Sequence, residues 1–280
     1  MGSSEDFLEI AKRILYCDSN CVVVNKIAGE AVEGAVKGMA DLPGQLAAAL
    51  LADEHLPVPP AEDPLAVPVA AHRLDVPVSG CVLFARTRAA LRFFNAAFSS
   101  AAAFNGKDVE KRYWAVVELP QKGALLYDIS AGDSTFGGIA DGHVGDHVSD
   151  HVSDHVGGEL IHWIQFDPRR NKSAAFDEPG PGRKKAILRY RLAGRGCDYL
   201  FLEIEPVTGR HHQIRAQLER VGLHVKGDLK YGARRSEKNG GIRLHARSLS
   251  FPEPFAGSKR ITVQADPPLR DNLWLAFIAI

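Results

Sequence analysis

The pattern of apolar and polar positions divides the chain into short elements joined by turns. Cys21-Val22-Val23-Val24-Asn25 is a β-branched run and reads as a buried strand. Phe7, Leu8, Ile10 and Ala11 give the first dozen residues the look of a short amphipathic helix. Gly44 to Ala52, rich in Ala and Leu, predicts a helix, and Asp53 to Pro68 a proline-rich loop. Cys81 to Ala85 reads as a strand, Arg88 to Ala103 as a helix and Val109 to Leu119 as a strand. Lys184 to Leu192 and Tyr199 to Glu205 alternate as two further strands. Arg210 to Val221 is helical, with Ile214, Leu218 and Val221 on one face and Gly222 as its stop. Ile242 to Phe251 and Arg260 to Gln264 complete the strands. Strands and helices alternate irregularly and without βαβ phosphate loops, which predicts an α+β fold rather than a doubly wound sheet.

Residues 121–181 break this pattern. They are rich in Gly, Asp, His and Pro and hold a tandem tetrapeptide, His-Val-Ser/Gly-Asp, from His143 to Gly157. Such a repeat cannot build a core alone, so the segment is expected to be an insertion in a surface loop. His143, His147, His151 and His155 would line one face of a helix and could hold a metal. Val, Ser, Asp and Gly between them make a poor helix, and no metal site is expected. With 280 residues, the chain divides into a helical extension at 1–13 and one large domain at 14–280.

Composition is that of a soluble globular protein: 45% apolar and 24% charged residues. No apolar run reaches the roughly 20 residues that span a bilayer. The start, Met1-Gly2-Ser3-Ser4-Glu5-Asp6, lacks a secretory layout. Cys17, Cys21, Cys81 and Cys197 form no CxxC pair, so a reducing compartment is expected, cytoplasmic by default, with nucleus or organelle open. The net charge is zero, unlike that of many nucleic-acid proteins. Charge is uneven, however. Residues 183–235 hold thirteen basic and five acidic side chains, a local excess of eight balanced elsewhere. That asymmetry suits a phosphate-contacting face on an otherwise acidic protein.

Three stretches carry candidate chemistry. Asp75 follows His72-Arg73-Leu74 and precedes Pro77 and Gly80, which places it in a loop ahead of a strand. Taken alone it would more often be a turn-capping Asp. Thr208-Gly209-Arg210-His211-His212-Gln213-Ile214-Arg215 opens the later helix, with Thr208 as its expected cap. Arg215 then lies beside the core face and suits a buried carboxylate partner. Lys111-Arg112-Tyr113 puts a ring beside basic residues on a strand, suited to stacking on a nucleobase.

Together these stretches resemble the RluA family of pseudouridine synthases. Val22-Val23-Val24-Asn25-Lys26 resembles the family's opening strand, and His72-Arg73-Leu74-Asp75 with Ser79-Gly80 its signature. Lys111 with Tyr113, and Thr208-Gly209-Arg210 with His212-Gln213-Ile214-Arg215, resemble its second and third motifs. Gly227-Asp228 with Tyr231-Gly232, then Leu244-His245-Ala246, resemble its closing ones. Ile27 stands where the family has Pro, and Val78 where it has Thr. The family's N-terminal S4 domain is expected to be absent. The resemblance implies a bent, largely antiparallel mixed sheet flanked by helices. It implies an isomerase that converts uridine in ribosomal or transfer RNA to pseudouridine, needs no cofactor and acts as a monomer away from membranes. Asp75 would be the catalytic carboxylate, as nucleophile or base, with Tyr113 stacked on the uracil and Arg215 as counter-ion. His72, Arg73, Lys111, Arg210, His212 and Gln213 would contact the RNA, with Arg73 filling the space left by the flipped base. A non-catalytic RNA-binding protein on the same fold is the alternative.

Overall fold

The computed structural model describes residues 9–33, 40–99, 109–119, 157–268 and 271–278. In chain order the strands are β1 (Ile14–Cys17), β2 (Cys21–Lys26), β3 (Glu30–Ala31), β4 (Ala40–Asp41), β5 (Pro64–Ala70), β6 (Ser79–Thr87) and β7 (Glu110–Glu118). They continue as β8 (Gly157–Asp167), β9 (Lys172–Phe176), β10 (Lys184–Arg195), β11 (Tyr199–Pro206), β12 (Leu244–Pro252) and β13 (Arg260–Gln264). The helices are α1 (Leu42–Ala52), α2 (Arg88–Ser99), α3 (Gln213–Arg220) and α4 (Asn272–Ile278), with a 3-10 turn at Leu229–Tyr231. Sheets flanked by few helices make the α+β class that the pattern predicts. The domain expected at 14–280 holds two compact units, Met1–Tyr113 with Glu237–Arg270, and Trp114–Ser236 with Asp271–Ile280.

The first unit is a sheet in the order β1-β2-β6-β12, with β5 on β6 and β13 on β12. β2 and β6 pair antiparallel, while β6 and β12 run parallel through Ser79–His245 and Gly80–Ala246. β6 lies at the centre and all nine of its residues are buried. That is why its middle, Cys81 to Ala85, reads as an apolar run. Val23, Leu83, Phe94 and Phe251 share one core cluster, with Ala90 and Phe94 supplying the buried face of α2. Burial of Phe94 alone contributes on the order of 2–3 kcal/mol.

Here the loop expected over 53–68 needs correction, because β5 starts at Pro64. Pro64 and Pro68 disguise it. Proline is tolerated in such a strand because it pairs only with β6 and its outer edge asks for no ladder donors. Residues 9–11 are helical; the rest of the helix expected at the start, and the end of that expected at 88–103, lie outside the described residues.

The second unit orders its strands β7-β11-β10-β8-β9. The surface loop expected over 121–181 is corrected in its second half, where β8 and β9 form an antiparallel hairpin. Leu160, His162 and Ile164 are buried at alternate positions of β8. The Gly- and Asp-rich composition around them hides that period. The histidine repeat up to residue 156 lies outside the described residues. α3 is shorter than the span 210–221, since His212 takes a left-handed backbone (φ 51°) just before it. Thr208 does not cap it: its hydroxyl donates to Gln213 Oε1 at 2.7 Å and accepts the Ile187 N–H at 2.9 Å. α4, which the pattern did not announce, buries Trp274 and Phe277 against Val116 and Phe201.

Candidate active site

In the first unit the chain around Asp75 is fixed through its main chain. Lys26, fully buried at the end of β2, donates from Nζ to the carbonyls of Val78 (2.7 Å), Val76 (3.0 Å), Ile27 (3.0 Å) and Asp75 (3.3 Å). The Val78 N–H donates to the Asp75 carbonyl at 3.0 Å. Burial holds the Lys26 ammonium down to about 8, against the opposing pull of Glu30 and Asp75. Glu30 is in turn held by a two-pronged bond from Arg13, at 2.9 and 2.7 Å. Asp75 itself is half-buried.

The next residues are fixed by β12. Ser79 Oγ lies 2.9 Å from His245 Nδ1, and His245 Nε2 lies 2.9 Å from the Ala265 carbonyl. A carbonyl only accepts, so Nε2 carries the proton and Nδ1 accepts from Ser79. Burial lowers His245 to about 4, which keeps it neutral. Gly80 has φ 118°, and a Cβ there would collide with the backbone of Ala246. Glycine is therefore required for β6 to meet β12 at this point.

Tyr113 is buried on β7, and its phenol is pushed well up, first by burial and then by the negative charge of Asp75. Carboxylate and ring are thus electrostatic neighbours within one unit. Lys111 Nζ sits 5.4 Å from the centre of the Phe98 ring. Arg73 is exposed, with a long contact of 3.8 Å to exposed Glu33. His72 faces the protein: its ring stacks on Phe98 at 4.8 Å, and its Nε2 accepts the Leu83 N–H at 3.2 Å. That bond serves the stretch of β6 between the β12 and β5 pairings. Burial, then the charge of Lys111, lowers His72 to about 3.

The second unit holds the remaining predicted residues. Arg215, buried on α3, donates from Nε to Asp228 Oδ2 at 2.6 Å and from Nη2 to Oδ1 at 2.8 Å. Its guanidinium carbon is 4.6 Å from the centre of the Tyr231 ring. The Tyr231 hydroxyl donates to the Ser173 carbonyl (3.1 Å), accepts the Ser173 N–H (2.9 Å) and lies 2.9 Å from His212 Nδ1. Gln213 is buried and serves the backbone, accepting the Arg210 N–H (2.9 Å) and donating to the Ile187 carbonyl (3.0 Å). Arg210 is exposed, with Nε on the Lys185 carbonyl at 3.1 Å.

Of the residues expected at the RNA, then, Arg73 and Arg210 face solvent, Lys111 is partly exposed, and His72, His212 and Gln213 turn inward. The basic excess of residues 183–235 is partly matched by acids outside that segment, through pairs such as Arg189–Glu159, Arg220–Asp177 and Arg234–Glu118. Sequence reading quoted Lys26, Asp228, Tyr231 and His245 within motifs without assigning them a task. The signal available was their type, since a Lys, Asp or His inside an apolar run must find partners. Among the described residues no cluster of His, Cys, Asp and Glu could hold a metal. Nor is any helix there long and apolar enough to cross a membrane.

A family model described as RNA pseudouridylate synthase matches residues 20–220. The chain is 27% identical to the ribosomal large subunit pseudouridine synthase C of Vibrio cholerae, over 95% of this chain and 68% of the relative. It is 30% identical to the tRNA pseudouridine synthase C of Haemophilus ducreyi, over 72% of each. The fold is similar to that of the human RNA pseudouridylate synthase domain containing 4, with TM-score 0.62 at 17% identity over 98% and 94% of the two chains.

Proposed function

The chain belongs to the RNA pseudouridylate synthases, of the RluA type, and on that premise we propose that Asp75 is the carboxylate with which it isomerises uridines in ribosomal or transfer RNA. One observation carries the assignment of Asp75. Its main chain is held by a buried ammonium, while the residue stays half-buried with its charge felt by the Tyr113 ring.

The reaction breaks the N1–C1′ bond, turns the uracil and joins C5 to C1′. C5 loses its hydrogen and N1 gains one, so the overall change is an isomerisation without redox chemistry. The uridine must first leave its stack, at a cost of about a few kcal/mol. Arg73 is suited to filling the gap, since its exposed contact with Glu33 is worth at most about 1 kcal/mol and is readily given up. Tyr113 offers an aromatic wall to the flipped base, and Asp75 acts on the ribose or the base. The proposal extends to Arg215 as a residue that serves the reaction, with Asp228 and Tyr231 fixing its guanidinium. His72 and Gln213 act through the backbones that they hold rather than by touching RNA.

The test is release of tritium from RNA labelled at uridine C5. The wild type should release it and Asp75→Ala should not. Equal release by the variant would overturn the role of Asp75, and RNA binding without release by the wild type would mark a non-catalytic protein.

A further inference from the structure

Phe166 is 42% exposed at the end of β8, on the same side of the strand as the buried Leu160, His162 and Ile164. Its ring is not isolated. It lies 4.2 Å from the His211 ring, which lies 3.9 Å from His212. His211 is anchored in turn: Ser173, which faces Phe166 across the hairpin, donates from Oγ to the His211 carbonyl at 2.7 Å. The result is an open aromatic surface on a fixed mount, all within the second unit.

Basic residues adjoin both rings in the chain. Arg169 and Arg170 form the turn that follows Phe166, and Arg210 precedes His211. All three are exposed, and among the described residues none of them makes an ion pair, whereas Lys172 nearby is paired with Glu219 at 2.9 Å. An exposed apolar ring with exposed guanidinium groups close by in the chain is complementary to a nucleobase flanked by phosphates. A protein partner would need a broader apolar patch.

We propose that Phe166 and His211 form a stacking platform for an unpaired nucleobase of the substrate RNA, distinct from the uridine that reacts, with Arg169, Arg170 and Arg210 on the neighbouring phosphates. This rests on RNA being the substrate and is independent of the assignment of Asp75. The platform is blind to base identity, since every base has a π face. It therefore raises affinity for single-stranded segments without choosing the uridine.

The experiment uses the full chain and a short fluorescently labelled oligouridylate. Phe166→Ala should weaken binding by roughly five- to a hundredfold, the range carried by one base-on-ring contact. Phe166→Tyr should retain it, and both variants should melt close to the wild type because nearly half of the side chain is already exposed. Phe166→Trp should show fluorescence quenched by the oligonucleotide beyond any quench in the wild type. Replacing Arg169 and Arg170 with Gln should flatten the slope of log affinity against log salt by about 1.4, as expected for two single-strand phosphates. Equal binding by Phe166→Ala, or an unquenched Phe166→Trp, overturns the platform. Quenching that persists in Asp75→Ala supports it. Tritium release that also persists in Asp75→Ala would remove the catalytic assignment and leave the platform standing.

Discussion

The Lys26 ammonium donates to the main-chain carbonyl of Asp75 at 3.3 Å, and to those of Val76 and Val78 at 3.0 and 2.7 Å. One buried cation thus fixes the backbone that presents the carboxylate. Lys26→Met keeps the length of the stem and deletes the donor. It strands several carbonyls where water is scarce, each costing about 1–3 kcal/mol. The expected result is a loss of at least about 3 kcal/mol in urea unfolding, with turnover falling further than the folded fraction explains. A variant as stable as the wild type would show that water or a rearranged loop replaces the ammonium.

Gly80 and Ala246 meet where β6 and β12 run parallel. Gly80→Ala meets two obstacles, a positive φ and a collision with the Ala246 backbone, and the obstacle is main chain rather than a movable side chain. Poor soluble yield, or a destabilisation above about 3 kcal/mol, is expected. Wild-type melting temperature in this variant would mean that the two strands can part without harm.

How much of this was legible in the sequence depends on how local the cause is. β2 and β6 were readable because a buried apolar run, Val22 to Val24 in one and Cys81 to Ala85 in the other, states its own environment. Gly222, with φ 77°, ended α3 as its position foretold. β5 was not readable, because its prolines make sense only once the strand is known to pair on one side. Asp75 and Tyr113 were nameable from motifs, but their electrostatic contact is a product of the fold. The family resemblance put His72 and Gln213 at the RNA. Their partners are backbone groups at Leu83 and Ile187, 11 and 26 residues away, which no local pattern announces.

Two neutral histidines, one buried and one partly buried, predict the acid limb of stability. His245 titrates near 4 and His72 near 3 in the folded chain, both held down chiefly by burial. The unfolded chain takes up these protons near 6.5. Between 6.5 and the folded values the unfolded state binds more protons, so stability falls as pH drops through that window and levels off below it. His245 alone should contribute on the order of 3 kcal/mol to that fall. Urea unfolding from pH 7 to pH 4 measures it, with His245→Gln shrinking the slope. A slope unchanged by that substitution would mean that His245 is protonated in the fold.

Asp228 tests the support given to Arg215. The pair is buried on both sides, with bonds of 2.6 and 2.8 Å. Asp228→Asn keeps the shape but removes the charge that balances a buried guanidinium. Breaking one side of a buried pair costs about 3–5 kcal/mol. Stability should therefore drop by that order in urea unfolding. If Arg215 also serves the reaction, kcat should fall while KM for RNA stays within about twofold, because a misplaced cation harms the transition state more than the grip on phosphates. Arg215→Met combined with Asp228→Asn separates the two effects. With the cation gone, much of the stability should return, since no unbalanced charge remains, while turnover stays low. Recovery of turnover in that double variant would show that Arg215 is dispensable to the chemistry and that Asp228 serves only to bury it.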